Sequence, residues 1–207
     1  MDIEQALAII WFYLIDNNIE ITAVVSGVMS VWLAKKESIW LYPVGSVSVS
    51  LWIYLCWIGF LYGQSIINMF FLIMNLYGWY NWSRKNDNNQ KEISISRNSK
   101  QQNITVTISA LVLSILVYFC LSPFQVQSEL FLYVALESFI TALNFIAMWL
   151  MAWKKVENWI LWIIGDALCI PLFIHQEYYL SVAQFSIFIV IAYLGYNEWK
   201  NKLLDAK

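Results

Sequence analysis

The chain has 207 residues, 60% of them hydrophobic and only 13% charged, with a formal net charge of −2. A soluble domain carries roughly 25% charged residues, so this composition cannot clothe a water-facing surface and describes a protein whose outer skin is lipid. No basic patch interleaves with aromatics, which excludes a nucleic-acid binder. Three scattered cysteines and a single histidine, His175, argue against a zinc site.

The N-terminus is acidic (Met1, Asp2, Glu4) where a secretory leader needs cations, so no cleaved peptide is expected. The apolar run from Ile3 to Ile15 is too short to span comfortably and is cut off by Asp16, Asn17 and Asn18, which predicts an interfacial helix over 1–17. Seven later segments have the length and apolarity of spanning helices: 18–34, 39–60, 66–82, 104–121, 130–152, 158–174 and 179–199. They predict an all-α membrane protein with seven transmembrane helices. The breaks between them are Lys35, Lys36 and Glu37; the turn Tyr62, Gly63 and Gln64; a polar stretch over 83–103; Ser122 and Pro123; Lys154 and Lys155; and His175, Gln176 and Glu177.

Alternate crossings put all twelve Lys and Arg on one side: Lys35, Lys36, Arg84, Lys85, Lys91, Arg97, Lys100, Lys154, Lys155, Lys200, Lys202 and Lys207. The other side holds Asp2, Glu4, Asp16, Glu129 and Glu177. The excess of cations in cytoplasmic loops makes the first side the cytoplasm, with the C-terminus inside and the N-terminus outside.

Two stretches resemble each other. Trp32 to Lys36, then Trp40, Gly45 and the run Tyr77 to Trp82 match Met151 to Lys155, then Trp159, Gly165 and the run Leu194 to Trp199. The Lys-Lys pairs and the first tryptophans align at one offset, the closing Gly and Trp at an offset about two residues shorter, and one small deletion reconciles them. The chain therefore divides into a first three-helix repeat over 18–82, a polar cytoplasmic linker plus linker helix over 83–129, and a second repeat over 130–202. A linker helix lets two odd-numbered units share one orientation. In transporters with parallel repeats the substrate sits near the midplane, between the repeats.

Polar groups inside spans are costly and mark cavities or helix contacts. They are Asn68, Asn75, Glu137, Thr141, Asn144, Asp166 and Gln184. Trp159, Trp162 and Asp166 stand at i, i+3 and i+7, one helical face carrying two indoles and a carboxylate. Such a wall suits a flat cationic or electron-poor ring, with indoles to stack and an acid to supply charge. The alternatives are interfacial tryptophans and, for Asn144 and Gln184, hydrogen bonds between helices rather than to a sugar or amide. No nucleophile triad, phosphate-cradling glycine loop or HExxH appears, which argues against catalysis and direct ATP-driven pumping. A membrane-embedded enzyme or a sensor is the rival class.

Ser30 to Ala34, Trp40 to Gly45 and Tyr77 to Trp82, with Glu157 to Trp162, Pro171-Leu172 and Gly195 to Lys200, resemble the PnuC vitamin-transporter family over about 19–202. The resemblance implies a 3+1+3, SWEET-like fold. It implies facilitated diffusion of a vitamin precursor, nicotinamide riboside in the largest group, across a bacterial inner membrane, followed by trapping through a cytoplasmic kinase. Family members can also be homotrimers, and no cofactor is expected. Trp159, Trp162 and Asp166 match the family's substrate-lining motif in span six, and Asn68 stands where many members have Gln. With Asn144 and Gln184 these make up the candidate substrate site. Thiamine and riboflavin are carried by related members, so the vitamin itself stays open.

Overall fold

The structure is a computed structural model that describes residues 17–86, 92–122, 131–175 and 179–205. Nearly all of them lie in seven helices: α1 Asn18–Lys35, α2 Leu41–Ile58, α3 Tyr62–Ser83, α4 Lys100–Leu121, α5 Phe131–Ala152, α6 Asn158–His175 and α7 Tyr179–Asp205. The expected interfacial helix over 1–17 falls outside the described residues, apart from Asn17. Three boundaries differ by four residues or more from the sequence reading, among them the start of α4 at Lys100 rather than 104. Helix α3 starts at Tyr62, so Gln64 is helical rather than part of a turn, and α7 runs on through Lys200 and Lys202.

On length and composition alone, four of the helices can cross a membrane: α2, α4 from Lys100 to Cys120, α5 from Tyr133 to Ala152, and α6. Polar residues lower the apolarity of the others, among them Glu20 and Thr22 in α1, Asn68, Asn75 and Asn81 in α3, and the charged C-terminal turns of α7. Outward faces are nevertheless apolar throughout, with Val25, Met29, Ile66, Ile73, Ile108, Ile115 and Val190 all exposed. Contiguous exposed apolar surface on this scale needs lipid to cover it. The buried set includes Ser48, Ser65, Asn75, Asn81, Ser138, Thr141, Asn158 and Asp166. Polar groups thus turn inward and apolar groups outward.

Six helices close a ring in which α1 packs on α2, α2 on α3, α3 on α5, α5 on α6, α6 on α7, and α7 back on α1; α4 lies against α5. Helix α4 opens with a reciprocal cap. The Gln102 N–H donates to Ser99 Oγ at 3.2 Å and the Ser99 N–H donates to Gln102 Oε1 at 2.8 Å, which satisfies two of the free N–H groups of a helix start.

Matching features recur in the two halves of the ring at a constant spacing of 117 residues, the separation of Glu37 and Lys154. Helices α2 and α6 begin and end that far apart, as do the starts of α3 and α7 and the ends of α1 and α5. Glu37 and Lys154 are the residues that leave α1 and α5 in the left-handed region, with φ of 58° and 51°. Tyr42 meets Trp82 edge to face at 5.2 Å, and Trp159 meets Trp199 edge to face at 5.5 Å. Tyr42 covers Gly78 as Trp159 covers Gly195. Trp82 Nε1 donates to the carbonyls of Met151 and Ala152 at 3.3 and 3.2 Å, and Trp199 Nε1 donates to those of Ala34 and Lys35 at 3.2 Å each.

This geometry corrects the register expected from sequence. Lys35-Lys36 does not correspond to Lys154-Lys155; Glu37 corresponds to Lys154. The counterpart of Trp159 is Tyr42, whereas Trp40 is 65% exposed. Like residue types suggested a deletion, but the backbone that closes each loop sets a single offset without one.

Candidate substrate site

Helix rise locates the candidates along the ring. Counted inward from the helix ends at the Lys-rich loops (for α7 from Lys200, 117 residues beyond the end of α3), with 1.5 Å per residue, Asn75, Asn144 and Asp166 lie about 12 Å deep, and Asn68, Glu137 and Gln184 about 22–24 Å deep. Trp162 is about 6 Å in, and Trp159 stands at the helix end itself. The ring therefore holds two polar tiers above an aromatic floor.

The floor is dense. Trp159 is fully buried and belongs to a core cluster with Tyr42, Trp82 and Trp199, against which Trp162 packs half-buried. A Cβ added at Gly195 would lie 2.7 Å from the Trp159 ring, so only glycine lets α7 pass this close. Protein thus surrounds Trp159, whose Nε1 is buried and has no hydrogen-bond partner among the described residues.

In the lower tier, Asp166 on α6 is 3% exposed and makes no hydrogen bond or ion pair among the described residues. Asn144 on α5 is pressed against Gly165, where an added Cβ would lie 2.5 Å from Asn144 Oδ1, and that oxygen is buried without a partner. Gly165 precedes Asp166 in sequence, so Asn144 packs on the turn of α6 that carries Asp166. Asn75, on the neighbouring α3, is also buried, beside Gly45. Among the described residues no group of His, Cys, Asp or Glu could hold a metal ion.

The upper tier is cross-linked between α3 and α5. Gln64 Nε2 donates to Glu137 Oε1 at 2.7 Å, and Asn68 Nδ2 donates to the Gln64 carbonyl at 2.8 Å. Gln184 of α7 lies near Gly27 of α1, its Nε2 being 3.7 Å from a Cβ built there. The structure therefore groups Trp159, Trp162, Asp166 and Asn144 on α5 and α6 and sets Asn68 and Gln184 higher, on α3 and α7. Sequence reasoning left out the Gln64–Glu137 pair because Gln64 read as a turn residue. It noted Asn75 without placing it in the site. A cavity of about 410 Å³ opens at the Lys-rich end, lined by Glu37, Ser38, Ile39, Trp82, Ser83, Lys85 and Lys154, and none of the six candidates lines it.

Residues 17–201 match the family model described as "Nicotinamide mononucleotide transporter". The chain belongs to that family. Similar proteins include the nicotinamide riboside transporter PnuC of Escherichia coli, 27% identical over 203 residues that cover 88% of this chain and 85% of that protein. The riboflavin/roseoflavin transporter RibM of Streptomyces davaonensis is 23% identical over 192 residues, covering 92% of this chain and 85% of RibM. A crystal structure of the vitamin B3 transporter PnuC superposes with a TM-score of 0.74, covering 94% of this chain and 85% of that one, at 21% identity. Membership makes the chain a membrane transporter rather than an enzyme, and the family likeness read from its tryptophan-rich helix ends holds over nearly its whole length.

Proposed function

We propose that this transporter carries nicotinamide riboside across the bacterial inner membrane by facilitated diffusion, binding it between two parallel three-helix repeats in a 3+1+3, SWEET-like arrangement. The observation that carries this reading is the lower tier and the floor beneath it: a buried Asp166 next in sequence to the Gly165 that Asn144 Oδ1 faces, with that oxygen, Asp166 and Trp159 Nε1 all lacking a hydrogen-bond partner among the described residues. Buried polar atoms without partners cost roughly 1–3 kcal/mol each, and a substrate that supplies partners removes that cost.

The pyridinium ring of nicotinamide riboside is flat and cationic. Asp166 balances its charge and Trp162 supplies an aromatic wall. Asn144 Oδ1 accepts from a carboxamide or a ribose hydroxyl, and Trp159 Nε1 donates to an oxygen. Asn68 and Gln184 meet the substrate higher in the ring. The constant 117-residue correspondence favours the repeat reading, with units at 18–82 and 130–202 joined by the linker and helix of 83–129. The Lys-rich end faces the cytoplasm by the distribution of cations, where a kinase would trap the arriving substrate as a phosphate. Assembly as a homotrimer belongs to the same reading.

The name of RibM favours a second substrate, riboflavin. That flavin is uncharged, so it would gain nothing from the charge of Asp166, and thiamine, also cationic, is the closer chemical alternative. Proteoliposomes loaded with nicotinamide riboside, thiamine or riboflavin separate the three. Exchange of labelled nicotinamide riboside, competed weakly by the others, is the expected result. Exchange of riboflavin or thiamine alone would refute the assignment.

A further inference from the structure

We propose that Glu37 and Lys154 form the lock that closes the Lys-rich end of the ring, and that they must separate for substrate to leave there. The inference rests on the reading that the ring carries a substrate, but its geometry is independent of which one. Glu37 and Lys154 occupy equivalent positions in the two halves, each just beyond the end of its helix and each in the left-handed region. Equivalent residues of two related halves meet only near the axis that relates them, and that axis runs through the middle of the ring.

They do meet. Lys154 Nζ donates to Glu37 Oε1 at 2.6 Å, and the lysine is 1% exposed. The same ammonium lies 4.5 Å from the centre of the Trp82 ring. Glu37 Oε2 takes Lys202 at 3.4 Å. Trp82 and Trp199, equivalent to one another, stand 6.1 Å apart beside the pair. Together these groups stop the ring between the lower polar tier and the cavity lined by Glu37, Trp82 and Lys154.

The backbone keeps both lock residues in place. A non-glycine residue in the left-handed region carries strain of about 1 kcal/mol or more and persists only where its surroundings hold it. Lys154 is held by the linker that precedes α4. The Ser96 N–H donates to the Lys154 carbonyl at 3.1 Å, the Val156 N–H donates to the Ser96 carbonyl at 3.0 Å, and the Asn98 N–H donates to Glu157 Oε2 at 3.0 Å. Ile95 anchors the same segment in the aromatic floor. The polar linker thus acts as a strap that sets one half of the lock. An ion pair suits a gate, because each partner regains water when the two separate, whereas two indoles would expose apolar surface.

Cys169 reports the opening without any substrate. It is buried one helical turn beyond Asp166, behind the lock when approached from the Lys-rich end. In a Cys120→Ala background, membrane vesicles of each orientation are treated with a membrane-impermeant thiol reagent, and Cys169 is followed by peptide mass spectrometry. From the Lys-rich face, Glu37→Gln and Lys154→Met should each speed labelling about tenfold by raising the open population. From the opposite face neither should speed it. Unchanged labelling in both variants, or an equal gain from both faces through general loosening, would overturn the lock. If labelling behaves as expected and wild-type vesicles take up no nicotinamide riboside, the lock stands and the substrate assignment fails.

Discussion

In the proposed reading, Asp166 is the residue on which substrate chemistry turns. A buried acid with no partner among the described residues needs a reason in an apolar helix, and in that reading a cationic ring supplies one. Asp166→Asn keeps the shape and removes the charge, so it should weaken nicotinamide riboside binding by about tenfold or more, the scale of a charge-assisted contact. Calorimetric titration in detergent checks this, and wild-type affinity would remove Asp166 from the site. Gly165→Ala probes Asn144 in the same way. The added methyl meets Oδ1 at 2.5 Å. The end of a flexible amide can move aside, so the melting temperature should shift little while affinity falls several-fold. These residues were legible in the sequence because a polar group in an apolar run stands out. The dense packing of Trp159 was not, because an indole at a helix end reads alike whether it faces lipid, ligand or another indole.

Between elements, glycine decides how closely helices approach. At Gly78 an added Cβ would run into the Tyr42 ring, and at Gly195 into Trp159 at 2.7 Å. Both rings are fully buried and have nowhere to go. Gly78→Ala and Gly195→Ala should each cost about 1–3 kcal/mol, the usual penalty of overpacking, seen as lower melting temperatures in detergent. A loss at one glycine only would break the equivalence of α3 and α7. Helix existence and order were readable from apolar length alone, and most boundaries fell within a few residues. Gln64 was misplaced because a Tyr-Gly-Gln sequence carries turn residues. Its amide is helical because α3 gains there a carboxylate partner from α5, which no local pattern announces.

Across the whole molecule, each half is tied to the other by the same bond made twice. Trp82 donates to the end of α5, and Trp199 to the end of α1. Phenylalanine keeps most of the ring and removes the N–H, leaving buried carbonyls short of a donor. Trp82→Phe and Trp199→Phe should therefore destabilise by similar amounts, about 1–2 kcal/mol each, measured by thermal unfolding in detergent. A large difference between them would mean that the two ends of the ring are not equivalent.

The sequence by itself determined the all-helical membrane character, the seven helices in order and the family. Each is a property of local composition or of motifs carried along one helix. Only the tertiary structure decided the register of the two halves and the meeting of Glu37 with Lys154. It alone also decided which polar atoms stay unpartnered. Those depend on side chains far apart in the chain, brought together by loop backbones whose left-handed turns leave no mark in residue type when the turn residue is Glu or Lys rather than Gly.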